Sequence, residues 1–112
     1  MAILGGGPFA PGADVHATDG VTADRTSFVP AATGRRLLGY SIRGTSGNAG
    51  SQAGALILGD TVATISRCAQ FEFATNEQSS MWMWPGVDCS NGITIDHIGG
   101  SFEVIIYTLD IT

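Results

Sequence analysis

The sequence predicts an all-β chain, an antiparallel β-sandwich of jelly-roll-like character with an extended N-terminal arm. Three observations carry that expectation. Short runs of alternating apolar and polar residues recur from Arg36 onward. Gly, Asn, Asp and Ser clusters separate them at regular spacing, and no stretch carries a helical period. The first 35 residues hold three of the four prolines and six glycines without any period.

Residues 1–35 are therefore read as the arm and 36–112 as the sandwich domain. Phe9, Val15, Val21, Phe28 and Val29 are scattered through the arm, more apolar side chains than a purely solvating tail needs. An arm ordered along a neighbouring subunit accounts for them, with Phe9 and Phe28 as its contact residues; a disordered terminus is the competing reading.

From Arg36 the chain becomes regular. Leu38, Tyr40 and Ile42 alternate with Gly39, Ser41 and Arg43, as in a half-buried strand. Gly44 to Gln52 reads as a polar loop. Ala53–Leu58 and Thr61–Cys68 read as a hairpin about Gly59-Asp60, and Gln70–Thr75 as a strand turning Phe71 and Phe73 inward. Met81–Trp84 reads as a short strand stopped by Pro85-Gly86. Ile93–Ile98 and Ser101–Ile111 read as a closing hairpin about Gly99-Gly100, because Gly-Gly tolerates the positive φ of tight turns. That register sets Ile93, Ile95 and His97 opposite Ile106, Val104 and Phe102. About seven strands result. The first regular strand and the last are expected to meet, bringing Arg43 near Glu103 and Asp96.

Composition narrows the function classes. Charged residues make up 13% of the 112-residue chain, hydrophobic ones 44%, and lysine is absent; ordinary soluble domains are roughly a quarter charged. A small monomer has too much surface to be this poor in charge, so part of the apolar content is read as interface. The final strand is apolar on both sides, with Ile105, Tyr107 and Leu109 on the second face. Such a strand is central in its sheet or covered by another subunit. The net charge of -5 argues against nucleic acid as a partner. No run approaches the ~20 apolar residues of a membrane helix. The N-terminal run lacks the basic region of a signal peptide, so synthesis in a cytoplasm is expected, with Cys68 and Cys89 as free thiols.

No catalytic constellation emerges. Asp96 and His97 are adjacent in a strand and point to opposite faces, so they do not share a site with Glu103 or His16 unaided. Gly5-Gly6-Gly7-Pro8 opens no helix, Ser and Thr follow no nucleophile-elbow pattern, and Cys68 has no surrounding signature. No enzyme, metal or cofactor is expected. Trp82 and Trp84 share one side of their strand, opposite Met81 and Met83. Two indoles so spaced suit core packing, a protein interface or a sugar-stacking platform, and these three stay open.

Read as a whole, residues 39–109 resemble small all-β virion proteins of tailed bacteriophages. The resemblance rests on Gly39-Tyr-Ser-Ile-Arg-Gly44, Ala55-Leu-Ile-Leu-Gly-Asp60, Trp84-Pro-Gly86, Cys89-Ser-Asn-Gly-Ile93 and a glycine-to-Tyr107 ending. It implies a capsid decoration (cement) protein on the virion surface, commonly a homotrimer, that binds the shell exterior between major capsid protein subunits. A neck or tail component is the nearest alternative in that class, and a carbohydrate-binding module using Trp82 and Trp84 the alternative from another. The residues expected at an interface are Phe9, Phe28, Trp82, Trp84, Ile105, Tyr107 and Leu109.

Overall fold

In a computed structural model, the structure describes residues 13–45, 52–61, 66–73 and 78–111. Among them are eight strands: β1 (Asp14–Val21), β2 (Arg25–Val29), β3 (Arg35–Gly44), β4 (Gln52–Leu58), β5 (Arg67–Phe73), β6 (Gln78–Asp88), β7 (Ile93–Gly99) and β8 (Phe102–Asp110). They form two four-stranded antiparallel sheets, sheet A in the order β1-β8-β3-β6 and sheet B in the order β2-β7-β4-β5. Only β4 and β5 are consecutive partners within a sheet; every other connection changes sheets. This strand order is that of a jelly roll.

The core lies between the sheets. Leu37, Tyr40, Ile42, Phe102, Val104 and Ile106 of sheet A meet Val29, Leu56, Phe71, Ile93 and Ile95 of sheet B. Phe71 and Phe102 pack edge to face, with centroids 4.9 Å apart. Between them Gly54 leaves room that a Cβ would fill, at 2.8 Å from the Phe102 ring and 2.9 Å from Phe71. Met83 and Phe28 pack against this core from its rim.

Several expectations change. Residues 14–29, assigned by sequence to the arm, form β1 and β2, and β1 pairs with β8 from Asp14↔Thr108 to Val21↔Phe102. Their alternation was hidden because His16 and Thr18 share the inward parity of Val21's partner strand, a polar pattern with few apolar marks. Phe28 packs, partly buried, against the core of its own chain, whereas Phe9 lies outside the described residues. The closing hairpin does not form as expected: β7 and β8 belong to opposite sheets. Gly100, at φ 69°, turns the chain across the sandwich. Ile93 and Ile95 meet Val104 and Ile106 through the core, not through a shared ladder.

β6 extends past Pro85 to Asp88, since an edge strand tolerates proline and the register shifts there. The two strands expected at 61–68 and 70–75 become one, β5, with residues 62–65 outside the described part. The meeting of the first regular strand with the last holds, β3 pairing with β8 along their whole length, including Arg43↔Glu103; Asp96, expected beside them, lies instead on sheet B with Arg67, because β7 leaves β8 for the other sheet.

Candidate functional site

Strand register places four residues in one row across the outer face of sheet A: Val15 of β1, Tyr107 of β8, Gly39 of β3 and Trp82 of β6. The next row is Ala17, Ile105, Ser41 and Ser80, and beyond it lie Glu103, Arg43 and Gln78. Leu109, beside Arg36, flanks the first row on its other side. The face thus grades from apolar to polar along the strands.

Gly39 shapes its centre. A Cβ there would lie 2.0 Å from Trp82 Cε3, so the indole rests on the bare backbone of β3. Its other face remains open, with Trp82 50% exposed, and Val15 at the opposite edge is 60% exposed. The Tyr107 ring leans against Trp82 at 5.5 Å between centroids, tilted by 56°. Ser80 donates a hydrogen bond to Ser41 at 3.2 Å, and Arg43 pairs with Glu103 at 2.9 Å. Ala17, Thr18, Glu103 and Ile105 line a shallow, open depression of about 480 Å³.

Three residues expected at an interface from sequence, Ile105, Tyr107 and Leu109, therefore share this face with Trp82. The Trp84 side chain lies outside the described part. Sequence reading missed Ala17 and Gly39, and noticed Val15 only as an apolar residue of the arm. Gly39 carried a usable signal, a glycine within a strand marking close approach by a neighbour; Ala17 carried none, because β1 itself was not legible.

The acidic and histidine residues considered for chemistry are dispersed. Asp96 faces away from the core of sheet B and binds Arg67 at 3.1 Å. Glu103 is on the other sheet with Arg43. His97 sits at the rim, its Nε2 2.7 Å from the Gly100 carbonyl and its backbone N–H donating to Asp24; its ring stacks on Phe102 at 5.9 Å. His16 Nε2 lies 2.9 Å from Thr108 Oγ1. Burial, then the Arg35 guanidinium, lowers its pKa, against opposing pulls from Asp14 and Asp110. Burial pushes both free thiols, Cys68 and Cys89, up to about 11, which leaves neither as a thiolate at neutral pH. Among the described residues no group of three or more His, Cys, Asp or Glu side chains could hold a metal ion, and no helix is long and apolar enough to cross a membrane.

No protein-family model matches the sequence, and no curated protein is significantly similar to it. The outer face of sheet A is the surface on which a functional reading must rest.

Proposed function

We propose that the protein is a self-associating structural subunit, a capsid decoration (cement) protein of a tailed bacteriophage. It would bind the shell exterior between major capsid protein subunits as a homotrimer. One observation carries the subunit part of this reading: the apolar row Val15, Tyr107 and Trp82, with Ile105 and Leu109 beside it, is left open on a chain with 13% charged residues. Covering it with another chain removes apolar surface from water, and symmetry multiplies each weak contact. The sequence resemblance supports the virion setting.

Two measurements test the proposal. Sedimentation of the purified protein should give a species of three copies or a multiple of three, and quantification in purified particles should give a copy number in proportion to the shell protein. A small, fixed copy number would move the protein to the neck or tail. Absence from particles would remove the virion assignment.

The upward-facing indole of Trp82 also favours a second reading, a carbohydrate-binding module, since aromatic faces stack on sugar rings. The 56° tilt of Tyr107 denies it a shared flat platform. Glycan-array binding that disappears in Trp82→Ala would support this second reading over the first.

A further inference from the structure

The two sheets have four edge strands, β1, β6, β2 and β5, and a sheet edge is a row of backbone donors and acceptors open to another strand. Three of the four carry features that discourage such pairing. β1 contains Asp14 and Asp19 and breaks register between Thr18 and Val21. β2 is five residues long, pairs with β7 only at Arg25 and Val29, and carries Ser27 at φ 50°. β5 bears Arg67 and Glu72, and its register shifts at Leu56/Ile57 of its partner.

β6 differs. Gln78-Ser-Ser-Met-Trp82 is uncharged and unbroken in register with Arg43 to Gly39 of β3. Its proline comes later, within the register shift between Trp82 and Val87. No described strand pairs with its outer side. Met81 and Trp82, which point to opposite faces of the sheet at this edge, are each 50% exposed.

We propose that residues 78–82 of β6 pair antiparallel with the same residues of a second copy, joining two A sheets into one continuous sheet across a two-fold axis. A second copy is the occupant that the charges select. The chain carries a net charge of -5, so two copies repel at most approaches. This edge is a neutral run on which they can meet. Antiparallel pairing of a strand with itself is also self-complementary, needing no second matching surface. The junction brings a partner strand beside both exposed side chains, Met81 on one face and Trp82 on the other, and continues the row Val15, Tyr107, Trp82 into the neighbouring subunit. It uses the edge of sheet A, whereas the proposed cement function uses its face, so a two-fold junction can link assemblies built on that face.

The test is a cysteine scan of the full chain. Gln78, Ser79, Ser80, Met81 and Trp82 are changed to Cys one at a time and oxidised briefly with copper-phenanthroline, with the parent protein, whose Cys89 is buried and Cys68 partly buried, as the blank. Self-pairing in one register brings only one position, or two adjacent ones, opposite itself. The expected result is a disulfide-linked dimer at least tenfold more abundant there than at the remaining positions. No cross-link, or equal weak cross-linking throughout, overturns the proposal. As a second arm, Ser79→Lys, which lies off the outer-face rows, sets like charges near each other across the axis. It should keep its circular dichroism spectrum and melting curve while the two-fold contact is lost in sedimentation. Unchanged association in this variant also overturns the proposal. A trimer that persists without β6 cross-links would reject the edge contact alone and leave the cement reading standing.

Discussion

The two sheets of this sandwich treat their outer faces in opposite ways. On sheet B, Ala55 and Ile57 point away from the core and are nonetheless fully buried. Their ladder neighbours are the ion pair itself, Asp96 beside Ala55 and both Arg67 and Thr94 beside Ile57. Thr94 donates to the Gly59 carbonyl and accepts from the Ser27 N–H, closing the same surface. On sheet A the corresponding face carries larger apolar groups with less over them. Two faces of similar residue chemistry thus end differently: one is covered by the chain's own residues, the other stays open to solvent. Burial on its own therefore does not follow from hydrophobicity; it follows from whether the chain supplies a cover.

Substitutions of equal chemistry on the two faces should separate sharply. Ile57→Asp places a carboxylate at a site with no exposure, and desolvation should cost about 4 kcal/mol or more, enough to unfold a domain of this size. A denaturant titration that finds a stable fold would break the contrast at its strongest point. Next in size is Arg67→Met, which strips the partner from Asp96, a side chain 12% exposed. Breaking buried pairs costs about 3–5 kcal/mol, and the partial exposure of Arg67 brings the expected loss to about 2 kcal/mol. Gly39→Ala should cost about 1–3 kcal/mol, because its Cβ must displace the Trp82 ring and presses on the Met81 carbonyl at 2.7 Å; a red shift in tryptophan emission would report the displaced indole.

On the open face, Tyr107→Asp should lower monomer stability by about 1 kcal/mol, for the lost ring contact with Trp82, while abolishing self-association. A variant that still assembles, with unchanged melting temperature, would remove the main physical support for a subunit role.

The smallest effect is a pH dependence. The folded-state pKa of His16 lies below its ordinary value, so below about pH 6.5 the unfolded chain binds the proton more readily. Its contribution is fully present above that pH and is lost as pH falls toward the folded-state value. Melting curves at pH 7.5 and 5.5 should show the parent losing more stability than His16→Gln, and equal losses would exclude His16 as the source.

The parts of this architecture legible in sequence were those where alternation and turn residues coincide. Leu38 to Arg43, Ala53 to Leu58 and Ile93 to Ile98 read correctly as strands, and Ser101 to Ile111 overran β8 by one residue at each end. Which strands share a sheet was less legible. A Gly-Gly pair permits a tight hairpin and a crossing turn alike, so Gly99-Gly100 did not reveal that β7 and β8 part company. The two N-terminal strands were missed for another reason: β1 turns His16 toward Thr108, and β2 sinks only Phe28 and Val29, so neither shows a period-two apolar pattern. For the candidate site, the odd-numbered side of β8 was plain from Ile105, Tyr107 and Leu109. The row across the sheet was not, since it depends on registers with β1 and β6 that no local pattern encodes.

The position of β8 also bears on how the chain is made. β8, the last of the described strands, lies in the middle of sheet A, between β1 and β3, and β7 lies in the middle of sheet B, between β2 and β4. Until residues 93–110 emerge, the N-terminal strands of both sheets have no described neighbour to pair with, and each sheet is split. Such a chain does not fold progressively from its N-terminus. Its sheets close only when β7 and β8 enter, and such non-local pairing favours slow folding with apolar strands exposed to aggregation meanwhile.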